Sequence, residues 1–84
     1  LIYHIFIEKP AQKKLSIIPE PFQGKIIAEI TMLAENPRPF GCKKLTGRNA
    51  WRIRIGRYRA IYEINDKDKS VLVVTLGHRK DIYR

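Results

Sequence analysis

The feature that most restricts this chain is a change of hydrophobic period at residue 51. In residues 51–55 (WRIRI) apolar and basic side chains alternate strictly. Trp51, Ile53 and Ile55 therefore share one side of an extended strand, and Arg52 and Arg54 share the other. Gly56-Arg57 supplies a tight turn. In residues 58–64 (YRAIYEI), Tyr58, Ala60, Tyr62 and Ile64 fall on one face, and Arg59, Ile61 and Glu63 on the other. Residues 65–69 (NDKDK) read as a polar hairpin loop. Residues 71–76 (VLVVTL) are continuously apolar but for one threonine, which predicts a strand covered on both faces and ended by Gly77. Three strands joined this tightly predict an antiparallel meander.

The first half of the chain has helical spacing instead. Residues 1–7 (LIYHIFI), rich in β-branched and aromatic residues, predict a strand. Residues 8–18 predict a short helix with Pro10 in its first turn, where a missing N–H costs nothing, and with Ala11, Leu15 and Ile18 on one face. Pro19 and Pro21 break it. Residues 21–36 predict a longer helix with an apolar stripe of Phe22, Ile26, Ile30 and Leu33, stopped by Asn36-Pro37. The short connection predicts an antiparallel helical hairpin. Residues 37–50 (PRPFGCKKLTGRNA) have no period and predict a basic loop. The expected fold is α+β: an N-terminal strand, a helical hairpin and a three-stranded antiparallel meander, with the helices on one sheet face. Eighty-four residues make one domain, residues 1–84. With the helices on one side, Arg52, Arg54 and Arg59 become neighbours on the open side.

Charge gives that side a meaning. The chain carries a net charge of +9, which calls for an anionic partner. No acidic residue lies between Glu35 and Glu63. Arg38, Lys43, Lys44, Arg48, Arg52, Arg54, Arg57 and Arg59 all lie there. Arginine dominates, and its planar fork suits bidentate contact with phosphate. Lys13, Lys14 and Lys25 read as solvated helix faces. No apolar run reaches the ~18 residues of a membrane span, so no membrane partner is expected. No secretory pattern opens the chain, and the single Cys42 fits a reducing, cytoplasmic setting. With only His4 and His78 as imidazoles, a metal site is unsupported, and no small-molecule cofactor is implied.

The last strand is expected to deliver His78, Arg79 and Tyr83 to one end of the sheet, on the same open face as the three arginines. Carboxylate pairs, a Ser-His-Asp arrangement and glycine-rich phosphate loops are missing from the sequence. The set suits cleavage of RNA, which carries its own nucleophile in the 2′-hydroxyl. That reaction needs a base, an acid for the leaving oxygen and cations for the transition state. Arginines supply the last of these and stay protonated, so Tyr83 or His78 has to move the proton. Tyr83 also offers a surface for stacking on an unpaired base.

The run KKLTGRNAWRIRIGRYRAIYEI, the later VLVVTLGHRKDIYR and the earlier ENPRPFGCKKL together resemble the RelE/ParE toxin superfamily, in particular its RelE-like branch. The resemblance covers most of the chain and is strongest from residue 36 onward. It implies a compact α+β toxin of a type II toxin–antitoxin system, partnered by an acidic cognate antitoxin. It further implies an mRNA interferase, a ribosome-dependent endoribonuclease that cleaves mRNA in the A site, with the ribosome and its rRNA as partners. Such cleavage uses 2′-hydroxyl attack without a metal, and inhibits translation. By position, the family's catalytic residues fall on Arg52, Arg54, Arg59, Arg79 and Tyr83, with His78 as a competing proton carrier. Lys43, Lys44, Arg48, Arg57 and Lys80 are expected to bind RNA. This chain has arginines at 52 and 54 where the best-studied pattern has lysines, which shifts the base role to Tyr83 first. Two alternatives share the fold and charge: a ParE-like inhibitor of DNA gyrase without nuclease activity, and an inactive RNA-binding relative.

Overall fold

A computed structural model describes residues 2–78 of the chain. The elements are β1 (His4–Ile7), α1 (Lys9–Ser16), α2 (Phe22–Met32), β2 (Lys43–Lys44), β3 (Trp51–Ile55), β4 (Tyr58–Asn65) and β5 (Ser70–His78). They form one five-stranded sheet in the order β1-β5-β4-β3-β2. β2, β3, β4 and β5 pair antiparallel with their neighbours, and β1 pairs parallel with β5. The expected meander is present, and the N-terminal strand completes it on one edge.

Both helices cover one side of this sheet. Ala11 and Ile18 from the first helical segment join Ile26, Ile30 and Leu33 from the second in one core cluster. Their strand partners in it are Ile53, Ile55, Ala60, Tyr62, Ile64, Val71, Val73 and Leu76. Pro10 sits in the first turn of α1. At the start of α2 the Glu20 carboxylate accepts the Gly24 N–H at 2.9 Å, which satisfies an amide that the helix leaves orphaned. Gly56 has φ +62° in the β3–β4 turn, a conformation that favours glycine.

Three expectations change. Phe22, expected in the apolar stripe of the second helix, is 46% exposed at its first turn. Lys43 and Lys44 form a short strand, β2, inside the segment expected to be a loop. Their own pattern carries no strand signal; the free edge of β3 recruits them, pairing Lys43 with Arg52 and Lys44 with Trp51. The strand expected to be covered on both faces is covered on one. Val71, Val73 and Leu76 are buried, while Leu72, Val74 and Thr75 are only half-buried. The register explains the irregular spacing. Ile61 pairs with Thr75 and Tyr62 pairs with Val73, so Val74 is an extra, bulged residue. One inserted residue reverses the side-chain alternation beyond it.

The basic segment between α2 and β3 is fastened where it leaves α2, at Pro37 and Arg38. The Tyr62 hydroxyl donates to the Pro37 carbonyl at 2.7 Å, and burial pushes this phenol well above its ordinary range. Asp66, in the β4–β5 loop, accepts hydrogen bonds from the Tyr3 hydroxyl at 2.6 Å and from Arg38 at 2.8 and 3.3 Å. The same Arg38 guanidinium lies 4.9 Å from the centre of the Trp51 ring. Asp66 thus ties the N-terminal segment, the basic segment and β3 together.

The hydrogen bonds from Arg38, and then the one from Tyr3, hold the Asp66 carboxyl down at about 2. An unfolded aspartate titrates near ~3.9. The clasp therefore contributes its full stability above pH ~4, and loses it as pH falls through about 2. Urea midpoints measured at pH 5 and pH 2.5 should fall more in the wild type than in Asp66→Asn, which lacks this carboxylate. Equal falls in the two proteins would remove the clasp from the acid response.

Candidate nucleic-acid interface

Strand pairing builds a basic row on the face away from the helices. Lys43 pairs with Arg52, which pairs with Ile61; Arg54 pairs with Arg59, which pairs with Gly77. None of these residues belongs to the core cluster, whereas their chain neighbours Ile53, Ile55, Ala60 and Tyr62 do. Alternation therefore sends Arg52, Arg54 and Arg59 to the same side, as the sequence predicts. Gly77 has no side chain to crowd Arg59.

The row is not uniformly open. Arg54 is exposed and Arg59 half-buried, but Arg52 is only 8% accessible and neighbouring Ile61 only 2%. A buried guanidinium keeps its charge, so Arg52 is a positioned cation rather than a mobile one. Arg54 and Arg59 are direct cross-strand partners of like charge, an arrangement that by itself disfavours the pairing. An anion bound between them would offset that repulsion.

His78 does not join them. It pairs with Tyr58, and the two rings meet edge-on at 5.8 Å between centroids. Phe22 from α2 also packs against Tyr58, tilted, with its ring centroid at 5.8 Å. His78 is therefore on the helix side of the sheet. The expectation that it shares the arginine face is corrected, and the bulge at Val74 is the reason: unbroken alternation counted from Val71 and Val73 puts residue 78 on the arginine side, and the bulge shifts it to the other.

The other expected RNA contacts divide in the same way. Lys43 joins Arg52 and Arg54 around a cleft on the β3 edge. Lys44 sits on the opposite side of β2, with its ammonium 5.8 Å from the Trp51 ring. Arg57 lines a hollow with Phe22, Tyr58 and His78, away from the arginine row. Arg48 is exposed in the turn before β3. Arg79, Lys80 and Tyr83 lie outside the described residues. Two residues that sequence reasoning passed over line the cleft with Lys43 and Arg54: Glu29 from α2 and Phe40 from the basic segment. No local pattern marks either, because the cleft forms only when α2 and the segment after it meet the sheet edge. Among the described residues no group of His, Cys, Asp and Glu is arranged to hold a metal ion. No helix among them is long and apolar enough to cross a membrane.

Helices on one side of a mixed sheet and arginines on the other define a small basic α+β domain that matches known toxins. A family model described as the ParE toxin of the type II toxin–antitoxin system parDE matches residues 5–83. No curated protein matches the sequence. Among solved structures, the RelE–RelB complex of Pyrococcus horikoshii OT3 contains a chain 30% identical, with a TM-score of 0.84, over 96% of this chain and 99% of that one. The RelB–RelE complex of Methanococcus jannaschii contains one 28% identical, with a TM-score of 0.73, over 93% and 94%. A doubly substituted free RelE of E. coli shares the fold at 20% identity, with a TM-score of 0.81, over 98% and 88%. The chain belongs to the ParE toxin family within the RelE/ParE superfamily, and is a type II toxin–antitoxin toxin.

Proposed function

We propose that this toxin is a metal-independent endoribonuclease that cuts mRNA in the ribosomal A site. The observation that carries the reading is the placement of Lys43, Arg52, Arg54 and Arg59 on one face across β2, β3 and β4. In the reaction the 2′-hydroxyl oxygen attacks the adjacent phosphorus as its proton is removed. The bond from phosphorus to the 5′-oxygen breaks, and that oxygen takes up a proton. The products are a 2′,3′-cyclic phosphate and a 5′-hydroxyl. Charge builds on the phosphoryl oxygens, and fixed guanidinium groups stabilise it where it develops. Arginine stays protonated and cannot serve as the base. The base role is assigned to Tyr83, with Arg79 facing the leaving oxygen. The contact of His78 with Tyr58 on the helix side counts against its earlier role as rival proton carrier.

The solved relatives from Pyrococcus horikoshii and Methanococcus jannaschii are complexes with RelB antitoxins. By analogy, this chain is neutralised by an acidic cognate antitoxin that competes for the basic face. The test is direct: ribosomes programmed with a defined mRNA are mixed with the toxin, and the new RNA ends are mapped. A-site cuts ending in cyclic phosphate are expected from wild type and not from Tyr83→Phe. No cuts from well-folded wild type would sink the reading. The matching ParE family model keeps one rival in play, a gyrase inhibitor. Blocked supercoiling that survives loss of Arg54 and Arg59 would select it.

A further inference from the structure

The cleft at the β3 edge contains groups that the arginine row does not need. Its volume is about 340 Å³, and Glu29, Phe40, Lys43, Ile53 and Arg54 are among its lining residues. That is room for one small ligand rather than a duplex. Phe40 stands at the rim fully exposed, with its ring in water. Its backbone is not loose: Gly41 takes φ +93°, and the Cys42 N–H closes a turn onto the Pro39 carbonyl at 3.0 Å. Glu29 adds a carboxylate to a cleft whose other charged lining residues are the cations Lys43, Arg52 and Arg54. Among the described residues it makes no hydrogen bond or ion pair, although Lys43 and Arg54 line the same space.

A carboxylate works against a site that only grips phosphate, because it repels the same charge that Lys43 and Arg54 attract. It is useful where a ligand presents N–H donors beside a phosphate. Unpaired RNA bases do so: they stack on aromatic rings and hydrogen-bond through their Watson–Crick edges. Guanine alone among the four presents two adjacent donors on that edge, N1–H and N2–H, matching the two oxygens of one carboxylate. Adenine and cytosine place an acceptor nitrogen beside their amino group, and uracil flanks its single N–H with two carbonyls.

We propose that this cleft is a base-reading subsite for an unpaired guanine next to the scissile phosphate. Phe40 stacks on the base, Glu29 accepts N1–H and N2–H, and Lys43 and Arg54 hold the adjoining phosphate. Arg54 belongs to both the cleft and the arginine row, which sets the base beside the reacting group. The inference rests on the RNA reading above, and it supplies that reading with a sequence preference.

The test avoids both cleavage and the ribosome. Short single-stranded 2′-O-methyl RNAs, which lack the nucleophile, carry one variable base in a uridine background. Binding to the toxin is followed by fluorescence anisotropy. Wild type should bind the guanine oligonucleotide about 10-fold more tightly than the cytosine, adenine or uracil forms, and hypoxanthine, which lacks the 2-amino group, should fall between. In Glu29→Gln the guanine preference should shrink to about twofold or less, since the amide turns one acceptor into a donor. In Phe40→Ala every oligonucleotide should weaken by about 10-fold, because stacking is tolerant of sequence. If Glu29 merely repels phosphate, Glu29→Gln will tighten all oligonucleotides alike and leave their ranking unchanged, which overturns the proposal. Wild type that binds none of them, or prefers another base, overturns it as well. Because these oligonucleotides cannot be cut, a failed cleavage assay neither produces nor hides any of these results.

Discussion

The double variant Arg54→Gln/Arg59→Gln should cut ribosome-bound mRNA at least about 100-fold more slowly than wild type, with no loss of thermal stability from the Arg54 change. Removing one preorganised donor from a charged transition state costs about 10²–10³ in rate in well-studied hydrolases. Arg54 and Arg59 face each other across β3 and β4, so they act on the same small volume. Losses from such a pair do not add, and each single variant should account for most of the drop. Stability should respond in the opposite sense. Two like charges directly opposed in a sheet are destabilising, so Arg54→Gln should leave the melting midpoint unchanged or raise it. Arg54→Lys separates charge from geometry. It restores the charge but not the planar fork, so it should recover only part of the rate. Single-turnover cleavage with saturating toxin, alongside thermal melts of each variant, gives both readouts. Cleavage by the double variant within about threefold of wild type would remove the pair from the chemistry.

The strand that carries Arg54 was the most legible part of the chain. In residues 51–55 every second residue is apolar and every other one is arginine, so period two fixes both the strand and the face. The helix stripes were legible for the same kind of reason: Ile26, Ile30 and Leu33 recur at the spacing of one helical face, and all three are buried. What failed were features set by contacts between distant parts of the chain. Nothing local in Lys43-Lys44 predicts β2, which exists because β3 offers an edge. The run VLVVTL does not announce its bulge, since Val73, Val74 and Thr75 look alike to a period-two pattern. The consequence reaches the site: one uncounted residue moved His78 from the arginine face to the ring of Tyr58. Glu29 and Phe40 lie 11 residues apart in sequence with no shared pattern, and only the packing of α2 beside the sheet edge brings them to one cleft.

Tyr62→Ala should destabilise the fold by about 3–5 kcal/mol, the range for deleting a large aromatic from a packed core. Tyr62 leads the fully buried side chains by volume, and its accessibility is 0%. It pairs with Trp51 on one side and Val73 on the other, so its ring is packed beneath the middle of the sheet. Domains of this kind have about 5–15 kcal/mol in total, and the variant would lose a large fraction of it. Tyr62→Phe isolates the hydroxyl. It keeps the ring but leaves the buried Pro37 carbonyl without its donor at 2.7 Å, which costs about 1–3 kcal/mol. Both figures are read from urea unfolding at neutral pH, where the slope of the transition should be unchanged. The arginine row is fixed by the β3–β4 ladder rather than by this bond. The Phe variant should therefore stay within about threefold of wild-type cleavage below its melting range, well short of the ~10²-fold loss expected for the arginines. Equal stability losses in the Phe and Ala variants would mean that the hydroxyl bond to Pro37, rather than the packed ring, is what Tyr62 contributes.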